Sequence, residues 1–467
     1  MARGRNLKGR IRTGSLLSAI PSSRPLLKST DYGEKVLIQS REIGVVGDRW
    51  IESFLEANRH LLKRLDVRPE VRVDPLPRVF LYPGARVGAI PLLSPSTRKA
   101  VAGLLIEPRM RWSALGDVFS GIGFSVEPFL GGAPLVPGSA REVPPWLLAS
   151  PVIKRIAGML KYRRRGFIVR EEYKQSPRGR VDWLKWGQKD VPHGHWAEFP
   201  CRYSDPDDDP VIMAAIRWTL NRLGEELSTM EWSPPARMLI KRTVELQMMI
   251  GPGIARRPSP SWAPVAASEW VSLAVEAMNW VAEERGLGGS RTLDGLAWDL
   301  SIDAVWEAWV SAFASDLSRI LGLVASPYGN VRRFLHWRGA FESMGSLAPD
   351  VELRGNSRTI WIDAKYKMHF DMMKRRGWKG ISEEIREMHR ADIHQALAYG
   401  AIGESEQVDT ILVYPEIGDE KGGAFTQTWL VTGRRRLRLI LASLPFGFKS
   451  EEHKKLVVNN WQKGLAA

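Results

Sequence analysis

The stretch from Ser346 to Lys367 sets the strongest constraint on this chain. A Pro349-Asp350 pair enters a short apolar strand, a polar turn Arg354-Gly355-Asn356-Ser357 follows, and a second strand from Thr359 to Tyr366 carries Asp363 and Lys365 two positions apart. Side chains alternate along a strand, so Asp363 and Lys365 share one face while Ile360, Ile362 and Ala364 point into a core. A hairpin brings Asp350 beside them. Two carboxylates and an ammonium on one sheet face suit a hard divalent cation with a positioned water. Glu352, on the same strand face as Asp350, is a rival ligand.

With 467 residues the chain exceeds one ordinary domain, and two or three are expected. Its net charge of +15 favours a polyanionic partner. A single cysteine, Cys201, excludes an internal disulfide framework and a cysteine-based zinc knuckle, and suits a reducing, cytoplasmic setting. No apolar run is long enough to span a membrane, and no signal-peptide pattern follows the N-terminus. Residues 1–33 read as a basic, disordered tail: Met1 to Thr30 holds many Lys and Arg and no acidic residue.

Residues 34–138 read as a β-rich domain. A short strand at Glu34–Gln39 and a helix at Asp48–Leu65 precede β-rich runs at Arg78–Tyr82, Val87–Leu93 and Val101–Pro108, two of them divided by a Pro-Gly turn signal. Residues 139–290 read as a hairpin and helical connector. A helix from Val143 to about Lys161 leads into hairpin strands around Phe167–Tyr173 and Arg180–Trp183. Amphipathic helices follow at Val211–Leu227, Arg237–Ile250 and Ser268–Arg285. Residues 291–467 form the last domain. Its helix Asp303–Leu321 puts Trp306, Trp309, Val310, Phe313, Leu317 and Ile320 on an apolar stripe with Glu307 at the border. After the hairpin come a basic loop, Lys374–Lys379, and a helix, Ser382–Ala401, whose Asp392, Gln395 and Tyr399 share a face. Strands are expected at Val408–Tyr414 and Gln427–Val431, and Arg434-Arg435-Arg436 is a phosphate-contacting rim or a solvated turn.

Pro349-Asp350 with Asp363-Ala364-Lys365 resembles the signature of the PD-(D/E)xK nuclease superfamily. The run Asp363-Ala364-Lys365-Tyr366-Lys367 is similar to that of McrC, the nuclease subunit of modification-dependent restriction systems. Arg178-Gly179-Arg180-Val181-Asp182-Trp183 and Phe199-Pro200-Cys201-Arg202-Tyr203 also resemble McrC segments, in the right order. The resemblance implies a multidomain α/β protein whose C-terminal restriction endonuclease-like domain has a central mixed sheet flanked by helices. It implies a DNA endonuclease using Mg²⁺ or Mn²⁺ held by Asp350, Asp363, Glu307 and the Ala364 carbonyl. Lys365 would orient or help deprotonate water, Gln395 and Tyr399 would position substrate, and a separate McrB-like AAA+ subunit would drive cleavage in an antiviral restriction system.

Other chemistries find less support. A P-loop is absent from the sequence, so any nucleotide-driven motor is a separate subunit. His193 and His195 near Cys201 lack a second ligand pair for structural zinc. Asp205 to Asp209 lacks the calcium-loop pattern and reads as a turn and helix N-cap. Two rivals stand beside the restriction reading: an autonomous or transposition-type endonuclease, and a non-catalytic DNA-binding scaffold on a nuclease-like fold.

Overall fold

A computed structural model describes residues 24–39, 50–73, 77–131, 134–138, 143–162, 166–207, 209–259, 268–286, 294–327, 332–336, 338, 345–403, 405–416, 423–432 and 435–466. The N-terminal part contains β1 (Leu26–Thr30), β2 (Val36–Ile38), α1 (Trp50–Arg64), β3 (Val67–Arg72), β4 (Arg78–Pro83), β5 (Arg86–Leu93), β6 (Ala100–Glu107), α2 (Arg111–Ile122) and β7 (Phe129–Leu130). β5 and β6 read as near-continuous apolar runs because both faces of their sheet are covered. Val87, Ala89 and Leu105 enter the main core, whereas Ile90, Leu92, Leu104 and Ile106 pack with α1 and the small sheet β2-β4-β3.

The middle contains α3 (Pro145–Tyr162), β8 (Gly166–Lys174), β9 (Arg180–Val181), a one-turn α4 (Trp183–Lys185), β10 (Phe199–Asp207), α5 (Pro210–Ser228), α6 (Pro234–Ile250) and α7 (Glu269–Ala282). Asp209 caps α5, accepting from the Val211 and Ile212 amides at 2.8 and 3.3 Å, the capping role its sequence position suggested. β8, β10 and β9 form a separate three-stranded sheet.

β11 (Trp298–Ser301) then returns to the N-terminal sheet, whose order is β1-β6-β5-β11-β7. Two expected boundaries therefore shift. β1 falls inside the 1–33 segment read as tail yet pairs in parallel with β6, and β11 falls inside 291–467 yet pairs with β5 and β7. Residues 1–23 of that tail lie outside the described residues. Buried Asp299 on β11 binds Arg64 and Arg86, stitching this strand to α1 and β5.

The last part runs α8 (Ile302–Leu321), β12 (Val324–Pro327), β13 (Arg333–Phe334), β14 (Ser346–Leu347), β15 (Val351–Arg354), β16 (Arg358–Ala364), α9 (His369–Arg376), α10 (Glu383–Ile402), β17 (Gln407–Glu416), β18 (Phe425–Thr432), β19 (Arg435–Pro445) and α11 (Glu451–Ala466). Its mixed six-stranded sheet has the order β12-β15-β16-β17-β19-β18, with β16, β17 and β19 parallel and the outer pairs antiparallel. Ile360, Ile362, Ile411 and Val413 join α8 in the main core, while Trp361, Tyr399 and Val408 pack on the other side with α10. Ser301 caps α8 by accepting from the Ala304 amide at 3.2 Å, and Gly322 closes the helix in the left-handed conformation at φ 67°.

Three local expectations change. Ile320, placed on the apolar stripe of α8, is 49% exposed, because the stripe runs out at the helix's last turn. The first half of the expected basic loop belongs to helix α9, whose Lys374, Arg375 and Arg376 occupy the last turn, where cations complement the helix dipole. Of the Arg434–Arg436 run, Arg435 and Arg436 open β19, and Arg434 lies outside the described residues. Among the described residues, no helix is long and apolar enough to cross a membrane.

Candidate metal centre at the end of β16

The hairpin forms as its sequence requires. The register Val351↔Ile362 sets Asp350 opposite Asp363, and the Asp350 amide donates to the Ile362 carbonyl at 3.1 Å. One Asp350 carboxylate oxygen accepts from the Ala364 amide at 2.7 Å, fixing it at the point where β16 ends. Asp363 is buried, and its Oδ2 lies 2.6 Å from Lys365 Nζ. That amine also donates to Gln395 Oε1 at 2.8 Å. The Gln395 amide in turn donates to the Tyr399 hydroxyl at 2.6 Å, which reaches the Ala348 carbonyl at 3.3 Å. The i, i+4 spacing on α10 thus sets Gln395 against the amine and Tyr399 behind Gln395.

Electrostatics tie Glu307 to the same place. Burial, then repulsion from Asp363, raises the Glu307 pKa, with Lys365 opposing. The residue as a whole is exposed. Burial and then Asp363 push Asp350 up to about 7, with Glu307 adding to the rise and the Ala364 amide and Lys365 opposing it. Asp363 is also raised, by burial, against the pull of Lys365. Burial disfavours the Lys365 charge, but its carboxylate neighbours, Asp363 first, carry its net shift upward. Three mutually repelling carboxylates beside one ammonium fit a hard divalent cation, which would stabilise all three in ionised form. Glu352 behaves differently: it is buried and accepts from Arg354 at 2.6 and 2.9 Å.

A second network lies on the opposite side of the strand end. The Tyr366 hydroxyl donates to Asp31 Oδ2 at 2.8 Å, and the Arg109 guanidinium reaches Tyr366 OH at 3.2 Å and Asp31 Oδ2 at 3.2 Å. The Arg109 amide binds the other Asp31 oxygen at 2.7 Å. Arg109 also stacks 4.3 Å over the Tyr366 ring. These N-terminal residues were not singled out from sequence as partners of the hairpin. Asp31 and Tyr366 are 335 positions apart, and a Tyr between two lysines carries no local signal of its partner.

The rejected zinc reading involves separated side chains: His193 Nδ1 contacts the Lys189 carbonyl at 2.6 Å, whereas buried Cys201 accepts from the Arg178 amide. A group that sequence reading missed is His369, His389 and Asp392, whose potential ligand atoms lie within 4.8 Å of one another. Its legible part was the His389, Asp392 spacing of three on one helix; His369 joins from α9.

No family model matches the chain, and no curated protein matches it by sequence. Among solved structures, it is similar to a chain of the Thermococcus gammatolerans assembly of McrB AAA+ hexamers with bound McrC. That match has 12% identity and a TM-score of 0.43, covering 94% of this chain and 99% of that one. It is also similar to a chain of the Thermococcus gammatolerans McrBC complex, with 11% identity and a TM-score of 0.25, covering 62% of this chain and 88% of that one. Likenesses this loose leave the residues and chemistry of the β16 centre to be argued from the site itself.

Proposed function

We propose that this chain is a Mg²⁺- or Mn²⁺-dependent DNA endonuclease, the cleavage subunit of an McrBC-like restriction or anti-phage system working with a separate AAA+ motor. The supporting observation is the meeting of Asp350, Asp363 and Lys365 at one strand end, with Glu307 electrostatically coupled from α8. Asp350, Asp363, Glu307 and the Ala364 carbonyl would hold the ion. Bound there, a divalent cation polarises a phosphate and makes water a better nucleophile. Lys365, kept charged by Asp363, orients the water and offsets negative charge growing on the phosphate. Gln395 aims that amine, and Tyr399 braces Gln395. The net charge of +15 and the cationic last turn of α9 suit binding to a DNA backbone without reading sequence.

The test is plasmid cleavage by the purified full chain with Mg²⁺, with and without an AAA+ partner. Asp363→Ala is expected to slow cutting by roughly 1,000-fold while leaving DNA affinity nearly unchanged, since metal-ion catalysis supplies several kcal/mol. Undiminished cutting by that variant sinks the proposal. Rapid cutting by the wild-type chain with Mg²⁺ alone removes the motor and leaves an autonomous endonuclease.

A further inference from the structure

His369 opens α9, and His389 and Asp392 lie three residues apart on α10, one turn before Gln395. All three are buried, at 6, 2 and 4% exposure. Among the described residues, His369 Nδ1 and Asp392 Oδ2 are buried atoms that meet no hydrogen-bond partner of good geometry, and they face each other at 4.0 Å. The other Asp392 oxygen is occupied by Lys367 Nζ at 2.7 Å, so the orphaned oxygen is the one turned toward the histidines. The Tyr414 hydroxyl lies 3.4 Å from His389 Nδ1 and is also within hydrogen-bond reach of the Asp392 carboxylate. Phe370 stacks on Tyr414 with centroids 5.8 Å apart, and the Trp378 ring lies 5.8 Å from that of His389, giving the cluster an aromatic shell. Buried polar atoms almost always find a partner, and here two unpartnered atoms converge with a third ligand group.

We infer that His369, His389 and Asp392 bind a divalent transition-metal ion of the Zn²⁺ class. Two imidazoles and one carboxylate match a borderline metal and are a poor set for Mg²⁺, which favours oxygen donors. The site is separate from the carboxylate centre and does not depend on the nuclease reading. Three protein ligands leave a fourth position for water. The ion ties the first residue of α9 to α10, pinning the segment that leaves β16 against the helix carrying Gln395.

The test is titration of the metal-stripped full chain with Zn²⁺, with Mg²⁺ as the control, followed by Co²⁺ substitution read by visible absorption. About one tight Zn²⁺ equivalent per chain is expected, unaffected by excess Mg²⁺. It should persist in Asp350→Asn and Asp363→Asn, and weaken on the order of 100-fold or more in His369→Gln and His389→Gln, since each removes one of three ligands. Co²⁺ should show intense d–d bands in the wild type that vanish in those two variants. Wild-type titration decides the matter even if a variant misfolds. Absence of a tight Zn²⁺ equivalent in the folded wild-type chain overturns the inference, as does Zn²⁺ binding that disappears with Asp363→Asn and survives His389→Gln.

Discussion

The two sides of the segment Asp363 to Lys367 do opposite things with the same short run of chain. Toward α10 it presents Asp363, Lys365 and Lys367, a set of charges only partly balanced, with carboxylates raised in pKa by burial and mutual repulsion. Toward the N-terminal sheet it presents Tyr366, whose hydroxyl, ring and neighbours are matched by Asp31 and Arg109. The first side leaves like charges crowded together; the second is closed by matched partners. β16 ends at Ala364, and the turn that follows, with the Lys367 amide donating to the Lys365 carbonyl at 2.8 Å, sends Lys365 and Lys367 to one side and Tyr366 to the other.

That contrast can be broken by substitutions on each side. The largest expected effect is on the open side: Lys365→Ala should lower the single-turnover rate of DNA cleavage by roughly 100- to 10,000-fold. On the closed side, Asp31→Ala leaves the Arg109 guanidinium without its buried partner and should cost about 3 kcal/mol in urea unfolding. A loss of cutting without that loss of stability would show that the anchor also serves the chemistry. Tyr366→Phe keeps the ring and removes only the hydroxyl, so a smaller cost of about 1 kcal/mol is expected by the same measurement.

The smallest effect concerns pH. Burial first, then Glu307, pushes Asp303 up to about 6. The folded chain therefore holds this proton more tightly than the unfolded chain, and the stability gained from it is complete below pH about 4 and lost as pH rises through about 6. Thermal unfolding of Asp303→Asn should lack this downward step and should exceed wild type above pH 7. An unchanged slope between pH 4 and 6 would remove Asp303 from the electrostatics of the α8 end.

The contrast also explains what could be read from sequence. The open side was legible because Asp350, Asp363 and Lys365 lie on one hairpin, where a period of two and a short turn fix their approach. Gln395 and Tyr399 followed from the period of one helix. The closed side was not legible, since the contact of Tyr366 with Asp31 depends on how the N-terminal sheet meets α8. The Lys374–Arg376 run looked like a loop for its charge, yet α9 tolerates it because Phe370 on the same helix packs against Leu412 and Tyr414. The sheet position of β11 was equally hidden: four residues carry little periodicity, and their partners lie about two hundred positions earlier.

β11 is an interior strand of the N-terminal sheet, and it passes through Ser301 directly into α8, the helix that bears Glu307. The two halves of the molecule are consequently geared together without a slack joint. A fragment beginning at residue 291 would take an inner stave out of the N-terminal sheet, and a fragment ending there would expose the edges on either side of the gap. Force applied to the front of the protein would be conveyed to the acidic end of α8 as through a crankshaft.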